Sequence, residues 1–276
     1  MIRELSSLRG IFILFIFFHH CLNLYPGGGT MAVTFFFVLG GFSMTIGYKE
    51  RVMKSDFSYR EYITRRCEKF FPLHWLSLLV AFPLSILPFT WAKLPVFVIN
   101  AALLQSWIPI KYVNISYNAV SWYLANTMFF AVVFPFILKG IVNSTHGKRI
   151  AIAATALVDY LFVVFTIPIE WYHAILYISP YMRLYDFVLG IYLAIIFQSL
   201  KERGLYQLKR VRLASILPIL IVLLLVIESC ILPQNTRLVA AIYWPMVALL
   251  ILVSALIETN GGGISEGAKF CSAWAK

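Results

Sequence analysis

Eight apolar runs, each close to the length of a bilayer crossing, constrain the fold of this chain more than any other feature. A helix needs roughly 20 apolar residues to cross the hydrocarbon layer, and 61% of the 276 residues are hydrophobic whereas 13% are charged. Because backbone polar groups in lipid must be paired within each segment, we predict an all-α, polytopic transmembrane helical bundle with about 8–10 membrane helices. The predicted spans are Gly10–Leu24, Thr30–Gly47, Phe71–Phe89, Val120–Leu138, Ile150–Ile167, Met182–Leu200, Leu213–Leu232 and Leu238–Ile257.

The run Pro95–Ile108 is shorter, and the distribution of lysine and arginine indicates whether it crosses. If it dips into the membrane and returns, the inward-facing segments carry nineteen basic residues and the outward-facing segments three. Since basic loops stay in the cytoplasm, we predict that this run dips, and that the protein is a multi-pass protein of the plasma membrane with a cytoplasmic N-terminus. The net charge of +11 then sets orientation, and we expect no nucleic-acid partner.

The segment Ser55–Phe71 differs from the apolar runs. Its apolar residues recur at helical spacing, and Arg65, Arg66 and Lys69 lie beside that stripe. The first two residues of the segment would cap a helix, and Pro72 would open the next span. This pattern predicts one amphipathic helix on the cytoplasmic surface of the membrane. Its basic residues would bind anionic lipid head groups or an anionic ligand.

Arg9 and His20 form a candidate pair on the first span. They are eleven residues apart, which is three helical turns plus about 20°, so they share a helix face with a rise of roughly 16 Å between them. We expect Arg9 near the inner head groups, His20 near the middle of the bilayer, and His19 about 100° away. Histidine suits proton abstraction because its unperturbed pKa is about 6.5. Arginine suits phosphate binding because its charge is permanent and its guanidinium can bind two oxygens at once. The alternative is a packing histidine with a snorkelling arginine.

Four further residues lie in or near the spans. Arg183 and Asp186 are three residues apart and are expected to pair locally. Asp159 is a costly group in hydrocarbon, and it would orient a histidine or contact a substrate hydroxyl. Trp122 lies near the predicted outer boundary, where it belongs either to the aromatic belt or to a cavity that stacks on a sugar. The sequence leaves these alternatives open.

The remaining composition adds little chemistry. The cysteines Cys21, Cys67, Cys230 and Cys271 have neither metal-site nor disulfide spacing, so we interpret them as free thiols and expect no metal. There is no evident internal repeat or second domain. Residues 1–276 are therefore predicted to form a single integral-membrane domain, and membrane lipids are its expected surroundings.

Five short segments stand out: LRGIFILFIFFHH (8–20), TFFFVLGGF (34–42), YITRRCEKFFPLHW (62–75), SWYLANTMFFAVVFP (121–135) and RLYDFVLG (183–190). In this order they resemble motifs of the acyltransferase 3 family of membrane O-acyltransferases. That family places ten residues between an arginine and a histidine on its first helix, which Arg9 and His20 match and His19 does not. The other segments resemble its FFxLSGF, basic-loop, WFLSALFxFYLxFP and RxxEFxxG elements.

The resemblance implies an activity and a set of roles. The family transfers an acyl group, usually acetyl, from cytoplasmic acetyl-CoA to a hydroxyl, often of a cell-envelope or lipid-linked glycan, and we expect a bacterial protein. The implied residues are His20 and Arg9 for catalysis, Arg65, Arg66 and Lys69 for the acyl-CoA donor, and Trp122, Asp159, Arg183 and Asp186 for the acceptor. The competing class is a transporter or flippase without covalent chemistry.

The sequence also departs from the family pattern. Gly40 replaces a serine, Asp186 replaces a glutamate, and Lys69 stands where an arginine is usual. The chain ends in GAKFCSAWAK, where the family continues into a last helix. We therefore expect that the last helix is lacking, and a non-catalytic remnant is a third interpretation.

Overall fold

The computed structural model describes residues 3–22, 28–87, 89–204, 215–231, 238 and 240–260. Every regular element in these ranges is helical, which confirms the all-α prediction. The α-helices are α1 (Arg3–Leu22), α2 (Gly28–Val52), α3 (Tyr59–Ile86), α4 (Lys93–Ala101), α5 (Lys111–Asn114), α6 (Ser121–Val142), α7 (His146–Thr166), α8 (Pro180–Glu202), α9 (Leu217–Ile231) and α10 (Trp244–Thr259). Short 3₁₀ turns lie at Gln105–Trp107, Ile169–Trp171 and Ala241–Tyr243, and His173–Ile178 is a π-helix.

Six of the described helices are long and apolar enough to cross a membrane, namely α1, α2, α6, α7, α8 and α10. The helix α9 is apolar but has only 15 residues. Each of these seven helices overlaps one predicted span, so the prediction of a multi-pass helical membrane protein is confirmed. Residues 205–214 and 261–276 lie outside the described residues. Cys271 is among them, and the expectation that the last helix is lacking also concerns this part of the chain. Cys21, Cys67 and Cys230 are free thiols, as predicted.

Helix α3 differs most from its predicted bounds. The predicted amphipathic helix Ser55–Phe71 and the predicted span Phe71–Phe89 form one continuous helix with Pro72 in its interior. The prediction of a separate surface helix that ends before Pro72 was therefore wrong. Contacts on both sides of Pro72 hold the helix, because the Tyr62 hydroxyl donates to the Ala131 carbonyl of α6 at 3.0 Å and His74 Nε2 donates to the Asn100 carbonyl of α4 at 2.8 Å. Such tertiary packing offsets the backbone hydrogen bond that a proline removes.

The start of α3 was also placed too early. Its N-cap is Ser58, rather than Ser55 or Asp56, and the Ser58 hydroxyl accepts a hydrogen bond from the backbone N–H of Glu61 at 3.3 Å. Ser58 and Glu61 have the spacing of a capping box, in which the cap and the third helical residue occur together. This local pattern was readable in the sequence and would have corrected the boundary.

The run Pro95–Ile108 does not form a crossing helix, as predicted. The helix α4 has nine residues, a length of about 13 Å, whereas a crossing needs roughly 30 Å. Lys93 at its start donates from Nζ to three carbonyls at the end of α3, at 3.0–3.3 Å. Near its end, the Asn100 carbonyl accepts from Nε2 of His74 at 2.8 Å. Helix α4 therefore returns alongside α3 toward the middle of that helix.

The chain divides into two compact units, Met1–Gly47 with Asp186–Lys276, and Tyr48–Tyr185. In the first unit, α1, α2, α9, α10 and most of α8 enclose an apolar core. The Phe12 ring of α1 stacks on the Phe35 ring of α2 with centroids 3.8 Å apart. The prediction that the chain is a single domain stays a prediction.

Two glycines let α2 and α8 touch backbone to backbone within the first unit. A Cβ atom added at Gly41 would lie 1.9 Å from the carbonyl oxygen of Phe187. A Cβ added at Gly190 would lie 1.9 Å from the carbonyl oxygen of Val38. Small residues permit this close approach of membrane helices. The segments TFFFVLGGF and RLYDFVLG therefore meet at a single helix crossing.

The second unit has a polar interior around the connection from α4 to α6. Gln105 Nε2 donates to the Ser121 hydroxyl at 2.9 Å, and Asn118 Nδ2 donates to the Ser77 hydroxyl at 3.2 Å. Gln105 is fully buried and Ser121 nearly so. These hydrogen bonds hold a segment of irregular backbone against α3 and the start of α6, which is how non-helical backbone is tolerated at membrane depth.

Candidate active site

Arg9 is held in the first unit by a partner that the sequence analysis missed. It is half-buried on the second turn of α1, and its Nη2 donates to the Ser43 hydroxyl of α2 at 3.0 Å. Ser43 is three residues beyond Gly40, where the family has a serine. Residues three apart are neighbours on a helix. Ser43 therefore provides a hydroxyl one turn after Gly40, the position at which this chain lacks the family's serine.

The two histidines lie in the last turn of α1. This helix begins at Arg3, seven residues before the predicted span, so His20 lies near one end of the helix instead of near its middle. The His20 side chain is exposed, whereas His19 is half-buried and packs on α2. A Cβ added at Gly29 would lie 2.8 Å from Cδ2 of His19. His19 therefore has a packing role within this unit, and the catalytic assignment of His20 stays a prediction.

The face of α1 that joins Arg9 to His20 is partly open beyond Arg9. Ile13 lies on that face between the two residues, and its side chain is 57% exposed. Phe12, which points into the unit, is fully buried. Ile16, on the same face one turn further on, packs against the apolar core, so the face that carries Arg9 and His20 is only partly open.

The three basic residues predicted to bind the donor differ in their surroundings. Arg65 is exposed and pairs with Glu61, the Nη2–Oε1 distance being 2.5 Å, and Glu61 also contacts Arg51 at 3.3 Å. Lys69 is exposed. Arg66 is half-buried, and its Nη2 is a buried atom with no hydrogen-bond partner among the described residues. Of the three, Arg66 has the guanidinium nitrogen that is best placed to receive an anion.

Two tyrosines hold Arg66. Its guanidinium carbon lies 4.6 Å from the centroid of the Tyr48 ring and 5.3 Å from that of the Tyr62 ring. Cation–π contacts of this kind orient the cation without neutralising its charge. Burial raises the pKa of Tyr62 to about 12, although the neighbouring Arg66 opposes the rise. Tyr62 therefore stays protonated and keeps its hydrogen bond to α6.

The structure brings together two of the predicted acceptor residues, Trp122 and Arg183, through a third that was missed. Trp122 is buried, and its ring lies 5.0 Å from the ring of Tyr177. The guanidinium of Arg183 lies 4.8 Å from the same ring, and its Nε donates to the Tyr177 carbonyl at 2.8 Å. Trp122 is therefore part of a packed aromatic and cationic cluster, all of it within the second unit.

The two acidic residues have separate partners. Asp186 is fully buried in the first unit and accepts a hydrogen bond from Nε1 of Trp244 at 2.5 Å. Asp159 accepts hydrogen bonds from the hydroxyls of Tyr181 and Tyr185 on α8. Asp159 thus binds hydroxyl groups of the protein itself. The spacing of the two tyrosines, four residues apart on one helix face, was the available signal.

The fold and these residues define a helical membrane protein whose first helix carries an arginine and a histidine eleven residues apart. The model of the family described as an acyltransferase domain matches residues 2–271. The chain therefore belongs to this family, the acyltransferase 3 family.

One curated relative is also named as an acyltransferase. The chain is 28% identical over 200 residues to acyltransferase MdmB of Streptomyces mycarofaciens, a match that covers 64% of this chain and 49% of the relative. The chain thus spans about half the length of the curated relative that it matches. No solved structure matches the chain.

Proposed function

We propose that this protein transfers an acetyl group from cytoplasmic acetyl-CoA to a hydroxyl group of a cell-envelope or lipid-linked glycan. The observation that supports the proposal most is the family match over residues 2–271, a range that contains both Arg9 and His20. In the reaction the acceptor oxygen bonds to the thioester carbonyl carbon, and the carbon–sulfur bond breaks. The products are an O-acetyl ester and free coenzyme A.

His20 is the proposed general base. It takes the proton of the acceptor hydroxyl as the oxygen attacks, and it then gives that proton to the leaving thiolate, so that charge and protons balance. A positioned base of this kind contributes on the order of 10²–10⁴-fold. Arg9 contributes a permanent positive charge, and its hydrogen bond to Ser43 fixes the guanidinium.

Arg66 is the main proposed contact for the donor phosphates, with Arg65 and Lys69 contributing charge. A buried guanidinium nitrogen without a partner favours binding of an anion, because leaving it unpaired costs about 1–3 kcal/mol. The platform of Tyr48 and Tyr62 holds Arg66 in position before the donor arrives. We place the N-terminus and this part of α3 on the cytoplasmic side of a bacterial plasma membrane, where acyl-CoA is available.

The test is thioester consumption by the purified protein. Free thiol released from acetyl-CoA is measured with and without a glycan acceptor, for the wild type and for His20→Ala. We expect thiol release that depends on the acceptor and is lost in His20→Ala, while that variant still inserts into membranes. If the protein binds acetyl-CoA or glycan but releases no thiol under any condition, the chain acts without covalent chemistry, as a transporter or flippase would, and the proposal is wrong.

A further inference from the structure

The π-helix His173–Ile178 presents an exposed histidine on an aromatic platform. The His173 ring stacks on the Tyr177 ring with centroids 5.3 Å apart and an interplanar angle of 27°. His173 is exposed, whereas Tyr177 is half-buried beneath it. A π-helix is rare, and it occurs frequently at functional sites because it redirects side chains that an α-helix would place elsewhere.

The platform is fixed from several sides. Trp122 of α6 packs against the Tyr177 ring, and Arg183 of α8 both lies against that ring and donates to the Tyr177 carbonyl. One turn beyond Trp122, Asn126 Nδ2 donates to the carbonyl of Ile178 at 2.9 Å, which holds the end of the π-helix. Asn126 is fully buried, and its Oδ1 has no partner among the described residues. The rings are therefore preorganised before any ligand arrives.

The surroundings of His173 are positively charged. Lys111 opens α5, which packs against the π-helix, and the Lys111 side chain is exposed. Although part of the His173 ring is exposed, the packing of the rest against the Tyr177 ring lowers the His173 pKa, and the charges of Lys111 and Arg183 lower it further. The preceding 3₁₀ turn carries one acidic residue, Glu170, which is exposed. The residues that α6 contributes to the platform are uncharged. An anion beside His173 would therefore meet the exposed Lys111 ammonium and a hydrogen-bond donor, and the fully buried Arg183 would add positive charge nearby.

We infer that His173 and Lys111, on the Tyr177 platform, form a binding site for a carboxylate or phosphate group carried by a sugar. The Lys111 ammonium supplies the attraction to the anion, the His173 ring supplies a hydrogen-bond donor, and the same exposed ring, backed by buried aromatic rings, supplies a flat surface for the sugar. This inference rests on the proposed function, since it makes the glycan acceptor an anionic one. It adds two residues, His173 and Lys111, that the family motifs do not include.

The experiment measures binding without acetyl-CoA, so that it does not depend on acyl transfer. Full-length protein in zwitterionic lipid nanodiscs, labelled with ¹³C at the histidine rings, is titrated with glucuronate, glucose and inorganic phosphate. His173→Gln assigns the resonance among the five histidines. We expect glucuronate to shift the His173 signal in a saturable way, glucose to leave it unchanged, and phosphate to shift it more weakly than glucuronate.

Matched charge variants test the geometry. Lys111→Gln should weaken glucuronate binding about threefold to fivefold, the range that an exposed ionic contact provides. Lys148→Gln, which removes an exposed cation from the start of α7, should leave it unchanged. Equal binding of glucose and glucuronate, or equal effects of the two variants, would overturn the inference.

Two further arms separate the sources of the anion. Nanodiscs that contain phosphatidylglycerol should bind glucuronate as before; if the anionic lipid shifts the His173 signal and displaces glucuronate, the site binds lipid head groups and the acceptor assignment is wrong. Thiol release from acetyl-CoA is measured separately. Glucuronate binding without any thiol release would refute the proposed reaction and leave the anion site standing.

Discussion

Replacing Gly41 with alanine should disrupt the contact between α2 and α8. The added Cβ would lie 1.9 Å from the Phe187 carbonyl oxygen, whereas real Cβ atoms essentially never approach another atom within 3.0 Å. The two helices must therefore separate by about 1 Å. Overpacking of a close-packed interior costs about 1–3 kcal/mol, and the upper end applies because the obstructing atom is backbone and has no other rotamer.

The neighbouring Gly40 provides a matched control on the same helix. A Cβ at Gly40 would have its nearest atom, Cδ2 of Phe187, at 3.8 Å, which is an ordinary contact. Both substitutions replace a helical glycine with alanine, which by itself favours the helix by about 1 kcal/mol. The difference between the two variants therefore isolates the cost of the contact with Phe187.

The assay is thermal unfolding of the purified protein in detergent, followed by tryptophan fluorescence. A loss of about 3 kcal/mol lowers Tm by roughly 6–12 °C in a chain of this size. We expect Gly41→Ala to melt that far below Gly40→Ala, and Gly40→Ala to melt at or slightly above the wild type. If both variants melt within about 1 °C of each other, the backbone contact does not exist and the reasoning fails.

Three further predictions concern the candidate sites. His20→Ala should abolish acyl transfer while His19→Ala retains it, measured as thiol release from acetyl-CoA; equal loss in both would refute the assignment of the base. Arg66→Ala should raise the KM for acetyl-CoA by about 10–100-fold, the effect of a lost hydrogen bond to a charged group, whereas Arg65→Ala, whose cation is already paired, should change it less than about threefold; the reverse order would contradict the roles. The pKa of His173 should lie below its ordinary value of about 6.5. The unfolded chain then binds a proton more readily than the folded protein, so the free energy of unfolding decreases as the pH falls from that value through the lowered pKa. An NMR titration that gives a higher pKa would contradict this.

The membrane fold was predictable because it depends on composition and run length alone. The apolar runs each gave a helix, and the weaker run Pro95–Ile108 gave the short helix α4 and a 3₁₀ turn. The boundary at Pro72 was wrong because the proline rule is local, while the continuity of α3 depends on contacts with α6 and α4 on either side of the proline. The capping pattern of Ser58 and Glu61 marks the observed start of α3, and it can be recognised from the sequence alone.

The side-chain partners were less predictable. The bond between Arg9 and Ser43 joins residues 34 positions apart, and nothing in the local sequence specifies such a pairing. The cluster around Tyr177 depends on a π-helix, for which the sequence carries no established signal. The glycines of the segments TFFFVLGGF and RLYDFVLG were partly predictable. Their positions were visible in the sequence, but the helix crossing at Gly41 and Gly190 that requires them was visible only in the structure.

The hydrogen bonds from Tyr181 and Tyr185 to Asp159 fix how α7 is turned about its own axis. Much of α7 exposes large apolar side chains, including Val158 and Phe162, so packing alone restrains its rotation only weakly. Turning the helix by one residue would break both hydrogen bonds and carry a carboxylate into hydrocarbon. One acidic side chain thus sets the angular position of a whole membrane segment.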